Sequence, residues 1–369
     1  MTPRPYHLCL VDSLRSYGGA EVWFLDTARR LQRRGLRVSV ITQPDATWLP
    51  RLRADGIDHA AIPLRFDAAP WTWFKLARWF LDGGVTAIVA NRTKDLKACA
   101  VAGRLAGVPV ILGSRESDFP LKDKWYYRWY FDRLATGLLV NSEATRSTVL
   151  TSAPWLDPRR VHLLYKGIDT DRFTPAARRP ASPVVGFVGQ LIARKGLHDL
   201  MAAWSRIDAE NWPGDRPRLH LAGEGPLAGE IETWRAGLSH PGEVDLRGFV
   251  EDMPAFYRGL SVLAMPSYAE GFGLAAAEAA SCGLPVVAAR ASSLPEIVKD
   301  GRTGLLVPSG DASALAEALR RLCLDPALCQ DMGRAGRDIV CRCFGVEACL
   351  DRLVELTRNP TAKEAPCRT

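Results

Sequence analysis

The sequence contains no run of apolar residues long enough to cross a membrane. Such a helix needs about 18 apolar residues in succession, and even the apolar stretch after Gly273 is interrupted by Glu278. Near the start, the short apolar stretch at residues 8–11 ends at Asp12, so the core of a signal peptide is lacking. We therefore expect a cytoplasmic protein, or one associated with the inner face of the membrane.

Several motifs of metal and nucleotide chemistry are also missing. The sequence has no H-E-x-x-H, no paired C-x-x-C, no P-loop and no G-x-G-x-x-G. These absences argue against metalloproteases, zinc proteins, NTPases and dehydrogenases. The nine cysteines lack the paired spacing of a disulfide or zinc framework, which favours reduced and packed thiols. We expect no metal ion and no cofactor.

Charge is distributed unevenly along the chain. Residues 1–180 hold 28 Lys and Arg against 17 Asp and Glu, whereas the remainder has a small excess of acidic residues. A basic half attracts anionic partners such as a phospholipid surface, a phosphorylated glycan or nucleic acid. A solvated, arginine-rich surface without a partner explains the same numbers.

Short apolar strands alternate with amphipathic helices along the whole chain. The strand at residues 7–12 leads into a helix at 20–34, and the proline-rich segment 174–183 predicts a linker after which the alternation restarts. Further strands are predicted at 37–42, 86–91, 108–113, 137–141, 161–165, 184–188, 218–222, 244–246, 262–265, 285–289 and 304–307. The pattern predicts an α/β protein with Rossmann-like domains at 1–180 and 181–345. For residues 346–369 we expect a C-terminal helix and a tail, and as a further hypothesis the helix crosses back to the first domain.

Two carboxylates bracket the start of a helix in the second half. Residues 266–274 follow an apolar strand, and Glu278 comes eight residues after Glu270. In a helix the two would stand about 12 Å apart, comparable with the span from a transferred sugar across a diphosphate to its ribose. Carboxylates accept hydrogen bonds from hydroxyl groups, and the amides at a helix N-terminus attract phosphates. The spacing suits a sugar nucleotide, although such a spacing also arises by chance.

The segment E-G-F-G-L-x3-E, followed by A-S-C-G-L-P-V-V-A, resembles the signature of retaining family-4 glycosyltransferases of the GT-B fold. Other segments match the family in order: Gly18-Gly19-Ala20-Glu21, Val188-Gly189, Arg194-Lys195-Gly196, Ala222-Gly223-Glu224-Gly225-Pro226 and Arg247-Gly248-Phe249-Val250. The resemblance implies two Rossmann-like domains with a cleft between them. It also implies metal-independent transfer of a hexose, with retained anomeric configuration, from a nucleoside diphosphate sugar to a hydroxyl of a glycan or glycolipid, as in lipopolysaccharide or other cell-surface polysaccharide synthesis.

The resemblance assigns roles on the donor side. Lys195 and Arg194 would stabilise the departing diphosphate, Glu270 would orient hydroxyls of the donor sugar, and Glu278 would hold the ribose. Many relatives carry an Arg where this chain has Gln190, so Lys195 is the safer assignment of the two cations. The other donor-binding candidates are Gly18, Gly19, Gly189, Gly223, Val250, Phe272, Gly273 and Leu274.

The acceptor side departs from the family pattern. Many relatives place a His-Asp pair after the strand at 108–113, where this chain reads Ser114-Arg115-Glu116-Ser117-Asp118. The candidates for acceptor contact are Asn91, Arg92, Arg115, Glu116 and Asp118. A purely structural role explains these residues equally well.

Two segments of the first half combine aromatic and basic residues, at 71–80 and at 122–130. Such a surface fits the interface of an anionic membrane, and it also fits single-stranded nucleic acid or ordinary core packing. No nucleic-acid module accompanies it. We therefore expect peripheral membrane contact through the first domain, a glycan or lipid-linked acceptor, and no nucleic acid.

Two other functions fit the same motifs. An epimerase of the GT-B fold would isomerise a sugar nucleotide without an acceptor, and an inactive relative would bind a sugar nucleotide as the partner of another transferase. The pair of Glu270 and Glu278, together with Lys195, weighs against both.

Overall fold

The computed structural model of the chain describes residues 5–15, 19–64 and 69–362. These residues form two compact units, each with one parallel sheet covered by helices. Residues 5–166 and 347–362 make up the first unit, and residues 167–346 make up the second. The prediction of two Rossmann-like α/β units is confirmed.

The first unit is built on a seven-stranded sheet with the strand order β3-β2-β1-β4-β5-β6-β7. The strands are β1 (His7–Asp12), β2 (Arg37–Thr42), β3 (Asp58–Ala61), β4 (Ala87–Ala90), β5 (Val110–Arg115), β6 (Gly137–Val140) and β7 (Val161–Leu163). The helices are α1 (Gly19–Arg33), α2 (Leu49–Ala54), α3 (Pro70–Gly83), α4 (Thr93–Leu105), α5 (Trp125–Arg128), continued by a π-helical segment at Trp129–Leu134, and α6 (Glu143–Ser152). Central strands such as β1 and β4 are buried on both faces, which explains the apolar runs at residues 8–11 and 87–90.

The second unit is built on a six-stranded sheet with the order β10-β9-β8-β11-β12-β13. The strands are β8 (Val184–Val188), β9 (Arg218–Ala222), β10 (Val244–Gly248), β11 (Val262–Met265), β12 (Val286–Ala289) and β13 (Gly304–Val307). The helices are α7 (Leu197–Ala209), α8 (Ala228–Ala236), α9 (Met253–Arg258), α10 (Leu274–Ser281), α11 (Leu294–Ile297), α12 (Ala312–Leu324) and α13 (Pro326–Cys343), with 3-10 turns at Ala193–Lys195 and Pro241–Glu243.

The last helix, α14 (Val346–Arg358), packs on the first unit although it follows the second sheet in sequence. Tyr6 Oη and Thr357 Oγ1 are 2.8 Å apart, and Arg34 Nη1 donates to Asp351 Oδ1 at 2.7 Å. Cys349 Sγ donates to the carbonyl oxygen of Tyr165. Helix α14 therefore contacts residues near the start of the first unit and residues just before residue 167.

The units divide after Lys166, earlier than the proline-rich segment from which the sequence placed the boundary near residue 180. The intervening residues contact the second unit. The carbonyl oxygen of Phe173 accepts hydrogen bonds from Ser281 Oγ at 2.7 Å and from Arg337 Nη1 at 3.0 Å. These interactions attach the segment before the prolines to α10 and α13.

The strands of both sheets lie where the apolar pattern predicted them, apart from β3. This edge strand has the sequence D-H-A-A and is mostly solvent-accessible, so it carries no apolar signal. Among the described residues, no helix combines the length and the apolar character that spanning a membrane requires.

At the carboxyl edge of the second sheet, neighbouring loops approach one another through glycines. An added Cβ on Gly223, after β9, would lie 1.8 Å from the carbonyl oxygen of Gly189, after β8. Gly223 also has a φ of +146°, which side chains rarely adopt. Its amide donates to the carbonyl oxygen of Gly248 at 2.7 Å, so three adjacent loops meet there.

We predict that Gly223→Ala lowers the free energy of unfolding by about 2–4 kcal/mol, because the methyl group clashes with backbone and the φ angle becomes strained. The matched control is Gly229→Ala in α8, where no atom lies within 4 Å of an added Cβ. The control should be neutral or stabilising by up to about 1 kcal/mol, since alanine favours helices. Urea denaturation of both variants measures the difference, and equal stabilities would contradict the close approach.

Candidate functional site

A buried ion pair lies at the carboxyl edge of the second sheet. Lys195 Nζ donates to Glu270 Oε1 at 2.5 Å, and the side chains of the two residues are only 15% and 9% exposed. Lys195 ends the 3-10 turn after β8, whereas Glu270 lies in the loop between β11 and α10. The structure therefore brings together two of the three residues for which the resemblance implied catalytic roles.

The third of these residues, Arg194, forms hydrogen bonds with the loop between β11 and α10. Its Nη1 donates to the carbonyl oxygen of Ala269 at 2.7 Å, and its own carbonyl oxygen accepts from the amide of Tyr268 at 3.0 Å. Gly196, with a φ of +70°, makes this close packing possible, since an added Cβ would lie 2.0 Å from the carbonyl oxygen of Pro266. The β8 and β11 loops are thus held in direct contact.

The loop after Glu270 turns sharply into α10. Phe272 is buried and stacks edge-on against Phe344, with ring centroids 5.5 Å apart, so its side chain belongs to the core. Gly273 caps the N-terminus of α10 with a φ of +94°. Leu274 is the first residue of that helix. The amides of this turn therefore lie at a helix N-terminus, where anions bind favourably.

Glu278 lies one to two turns into α10 and is half-buried. Tyr257 Oη, at the end of α9, donates to Glu278 Oε2 at 2.9 Å. Burial of the carboxyl group raises the pKa of Glu278 to about 7, and the Tyr257 hydroxyl and the nearby Arg172 partly oppose that rise. Glu278 is therefore a carboxylate whose charge changes near neutral pH.

The remaining donor-side candidates are backbone positions at the carboxyl ends of the strands. Gly189 follows β8 and Gly223 follows β9, in the close approach described above. Val250 lies in the loop between β10 and α9. In the first unit, Gly19 is the first residue of α1, whereas Gly18 lies outside the described residues.

A second polar cluster lies at the carboxyl edge of the first sheet. Asn91, after β4, donates its Nδ2 to Asp12 Oδ2 at 2.7 Å, and Asp95 accepts from the amide of Ser13 at 3.0 Å. All four side chains are buried. Burial raises the pKa of Asp12 and raises that of Asp95 to about 7, so this edge is rich in carboxyl groups that are costly to ionise.

Glu116, at the end of the same edge, forms an ion pair with the buried Lys166. Lys166 Nζ also stands 3.5 Å from the centroid of the Trp23 ring, in cation–π geometry. Among the predicted acceptor residues, Asn91 is therefore held in a buried polar contact, and the half-buried Glu116 in an ion pair with a buried partner.

The other predicted acceptor residues differ in their surroundings. Arg115 donates to the carbonyl oxygens of Phe119 and Pro120, and burial lowers its pKa. Asp118 accepts a hydrogen bond from Thr148 Oγ1 at 2.5 Å. Arg92 is exposed. The acceptor roles of all five residues stay predictions.

Sequence reasoning missed several residues that shape these two edges. Tyr257, Ser292 and Ser293 lie in the second unit, and Asp12, Asp95 and Lys166 in the first. Asp12 had a usable signal, because it ends a buried strand at the edge where ligands of parallel sheets bind. Tyr257 had none, since its contact with Glu278 joins separate helices. Within the described parts of the chain, no group of three or more His, Cys, Asp or Glu side chains is arranged to hold a metal ion.

The burial of the Lys195–Glu270 pair predicts how substitutions of these two residues change the free energy of unfolding. Lys195→Met alone leaves a buried carboxylate without its partner and should lower the free energy of unfolding by about 3 kcal/mol. The double variant Lys195→Met/Glu270→Gln should recover a large part of this loss, because neither charge then remains buried. A double-mutant cycle in urea measures the coupling, and additive effects would contradict a close buried pair.

Two family models match the chain. The model described as Glycosyltransferase Family 4 matches residues 17–172, and the model described as Glycosyl transferases group 1 matches residues 182–325. The two matches fall almost entirely within the first and the second unit, respectively.

Curated relatives extend over most of the chain. The D-inositol 3-phosphate glycosyltransferase of Acidothermus cellulolyticus is 30% identical over 361 residues, covering 86% of this chain and 80% of the relative. The enzyme of the same name from Thermobifida fusca is 32% identical, covering 86% and 83%. A third, from Kribbella flavida, is 35% identical over 54% of this chain, and that match spans about half of the relative, 51%.

Solved structures share the fold. HepE of Anabaena in complex with UDP has a TM-score of 0.82 at 22% identity, covering 95% of this chain and 98% of that one. A glycosyltransferase from Rickettsia africae has a TM-score of 0.86 at 16% identity, covering 98% and 100%. Identities this low show the fold alone. The relatives of 30% identity or more over most of the chain, together with the two family models, show that this protein belongs to the family-4 glycosyltransferases of the GT-B fold.

Proposed function

We propose that this enzyme transfers a hexose from a nucleoside diphosphate sugar to a hydroxyl group of a glycan or lipid-linked acceptor, with retention of the anomeric configuration. The observation that carries the proposal is the Lys195–Glu270 pair at the start of α10, with Glu278 further along the same helix. The cation of Lys195 matches the diphosphate of such a ligand. The carboxylate of Glu270 matches the sugar hydroxyls, and that of Glu278 matches the ribose.

Each residue has a distinct part in the proposed reaction. Lys195 uses one of its three N–H groups on Glu270, and its other N–H groups neutralise the charge that develops on the departing diphosphate. Arg194 supports it from the adjacent position. Glu270 orients hydroxyls of the donor sugar, Glu278 accepts hydrogen bonds from the ribose diol, and the amides of residues 272–274 face the sugar or the diphosphate.

The donor proposed for the first test is UDP-glucose. HepE has been crystallised with UDP and with UDP-glucose, and its structure with UDP-glucose has a TM-score of 0.80 to this chain. The proposed acceptor contacts are Asn91, Arg92, Arg115, Glu116 and Asp118, and acceptor screens include D-inositol 3-phosphate because it appears in the names of several relatives.

We predict that the affinity for UDP-glucose rises roughly ten-fold between pH 6 and pH 8. The raised pKa of Glu278, about 7, means that its carboxyl group is mostly protonated at pH 6 and mostly ionised at pH 8, and only the ionised form accepts both diol hydrogen bonds. The diphosphate diester of UDP-glucose does not titrate in this range. Calorimetry without added metal, across UDP-, GDP- and ADP-sugars, measures the dependence and identifies the donor class.

Two variants test the assignment to Glu278. Glu278→Gln should bind more weakly at pH 8 and show no rise with pH. Tyr257→Phe removes a hydrogen bond that lowers the Glu278 pKa, so the rise in affinity should move to higher pH.

Failure to bind any sugar nucleotide would contradict the donor-site proposal. Conversion of the donor alone into an isomer would favour an epimerase, and binding without turnover on any acceptor would favour an inactive relative.

We propose that the acceptor lies at a membrane surface, and that the protein binds this surface through exposed aromatic side chains of the first unit. On α3, Trp71 and Phe74 are 73% and 64% exposed, and Lys75 and Arg78 lie beside them. After β5, the exposed aromatic side chains are Phe119, Trp125 and Trp129, with Lys122 and Lys124 nearby. Helix α3 packs against α4, and so does the π-helical segment that carries Trp129. Aromatic rings and cations together suit the headgroup region of an anionic bilayer.

We predict that the protein co-sediments with vesicles of phosphatidylglycerol and binds phosphatidylcholine vesicles at least ten-fold more weakly, because the proposed face is basic. Trp71→Ser/Phe74→Ser should abolish most of the binding. The matched control is Leu324→Ser, an exposed apolar residue of the second unit. Equal binding by the double variant and the wild type would contradict a role for this face.

A further inference from the structure

The loop between β12 and α11 holds the loop that carries Glu270. Ser292 Oγ donates to the carbonyl oxygen of Glu270 at 2.5 Å. Ser293 Oγ reaches the same carbonyl at 3.1 Å and that of Phe272 at 2.9 Å, and Ser293 is completely buried. Two adjacent serines thus hold two carbonyl oxygens of the turn that leads into α10.

Ser292 adopts an unfavourable backbone conformation at this position. Its φ is +52°, and among the described residues it is the one non-glycine residue with a positive φ. In this left-handed region a side chain crowds the following carbonyl, so glycine is normally favoured. Strain of this kind persists where surrounding contacts impose it, and it concentrates at functional sites. The hydroxyl of Ser292 supplies a contact that glycine would lack.

The carbonyl contacts also orient the amides of the turn. In a trans peptide group the C=O and the following N–H point in opposite directions. Because the carbonyl groups of Glu270 and Phe272 face the serines, the amides of Gly271 and Gly273 are directed away from them. The serines therefore fix the direction of the amides that follow these carbonyls, including that of Gly273, for which we propose contact with the donor.

We infer that Ser292 and Ser293 are positioning residues of the donor site, which hold the Glu270–Phe272 turn in the geometry that receives a nucleoside diphosphate sugar. This inference rests on the proposed function. The serines act through the turn and through the Glu270 carboxylate that Lys195 pairs with, and they need not touch the ligand themselves.

Ser292→Gly separates positioning from stability, because it removes the hydroxyl and relieves the strained φ together. We expect its thermal unfolding midpoint to equal or exceed that of the wild type, while its affinity for UDP-glucose falls about five- to ten-fold. Its rate of donor hydrolysis, which needs no acceptor, should fall at least as much. Ser292→Asn tolerates the left-handed conformation and offers an N–H donor, so it should recover part of the affinity.

Ser293→Ala and Ser281→Ala form a matched pair in the same unit. Both serines are completely buried and donate to backbone carbonyls, and Ser281 Oγ bonds the carbonyl oxygen of Phe173 instead of the Glu270 turn. Both variants should lose similar stability, but only Ser293→Ala should weaken UDP-glucose binding.

The outcomes separate this inference from the proposed function. If the wild type binds UDP-glucose, or another sugar nucleotide from the screen, and both Ser292→Gly and Ser293→Ala bind it equally well, the serines have no positioning role. If Ser281→Ala weakens binding as much as Ser293→Ala, the effect is one of general stability, and the inference is also overturned. If the wild type binds no sugar nucleotide at all, the proposed function itself fails.

Discussion

The ion pair of Lys195 and Glu270 joins two loops that are 75 residues apart in the sequence, and the arrangement of the second unit's carboxyl edge depends on it. A buried charge without a partner would be strongly unfavourable, so each of the two residues requires the other. The requirement constrains the backbone as well, since Gly196 must allow the β8 loop to lie against Pro266. This contact, together with the hydrogen bonds of Arg194 to the β11 loop, therefore sets where a cation and a carboxylate stand relative to the N-terminus of α10.

The carboxyl edges of the two sheets differ in their chemistry. In the second unit a cation and a carboxylate are paired next to helix amides. In the first unit Asp12, Asp95 and Asn91 form a buried polar layer, and the carboxyl pKa values there are raised by burial. Neutral carboxylic acids donate and accept hydrogen bonds, whereas carboxylates only accept them. With a pKa of about 7, the buried Asp95 carboxyl can therefore take either form near neutral pH.

Much of the fold and part of the site follow from local sequence pattern. Apolar strands such as β8 and β11 can be predicted from the sequence because both of their faces are buried. The spacing of Glu270 and Glu278 can be recognised because both lie within one loop and the helix that follows it. The edge strand β3 has no apolar pattern, and the contacts of Tyr257 with Glu278 and of Ser292 with Glu270 join distant segments. Likewise, the contacts of Asn91 with Asp12 and of Glu116 with Lys166 join residues that are 79 and 50 positions apart, which local sequence does not specify.

The placement of α14 makes the first unit discontinuous in the chain. Residues 167–346 are inserted, in terms of connectivity, between β7 and the helix that completes the first unit's outer layer. Leu350, Leu353 and Leu356 of that helix are buried, so residues 1–166 alone would expose the apolar surface that they cover. During synthesis on the ribosome, the first unit cannot complete its packing until nearly the whole chain has emerged, and the second unit has its full sequence available earlier.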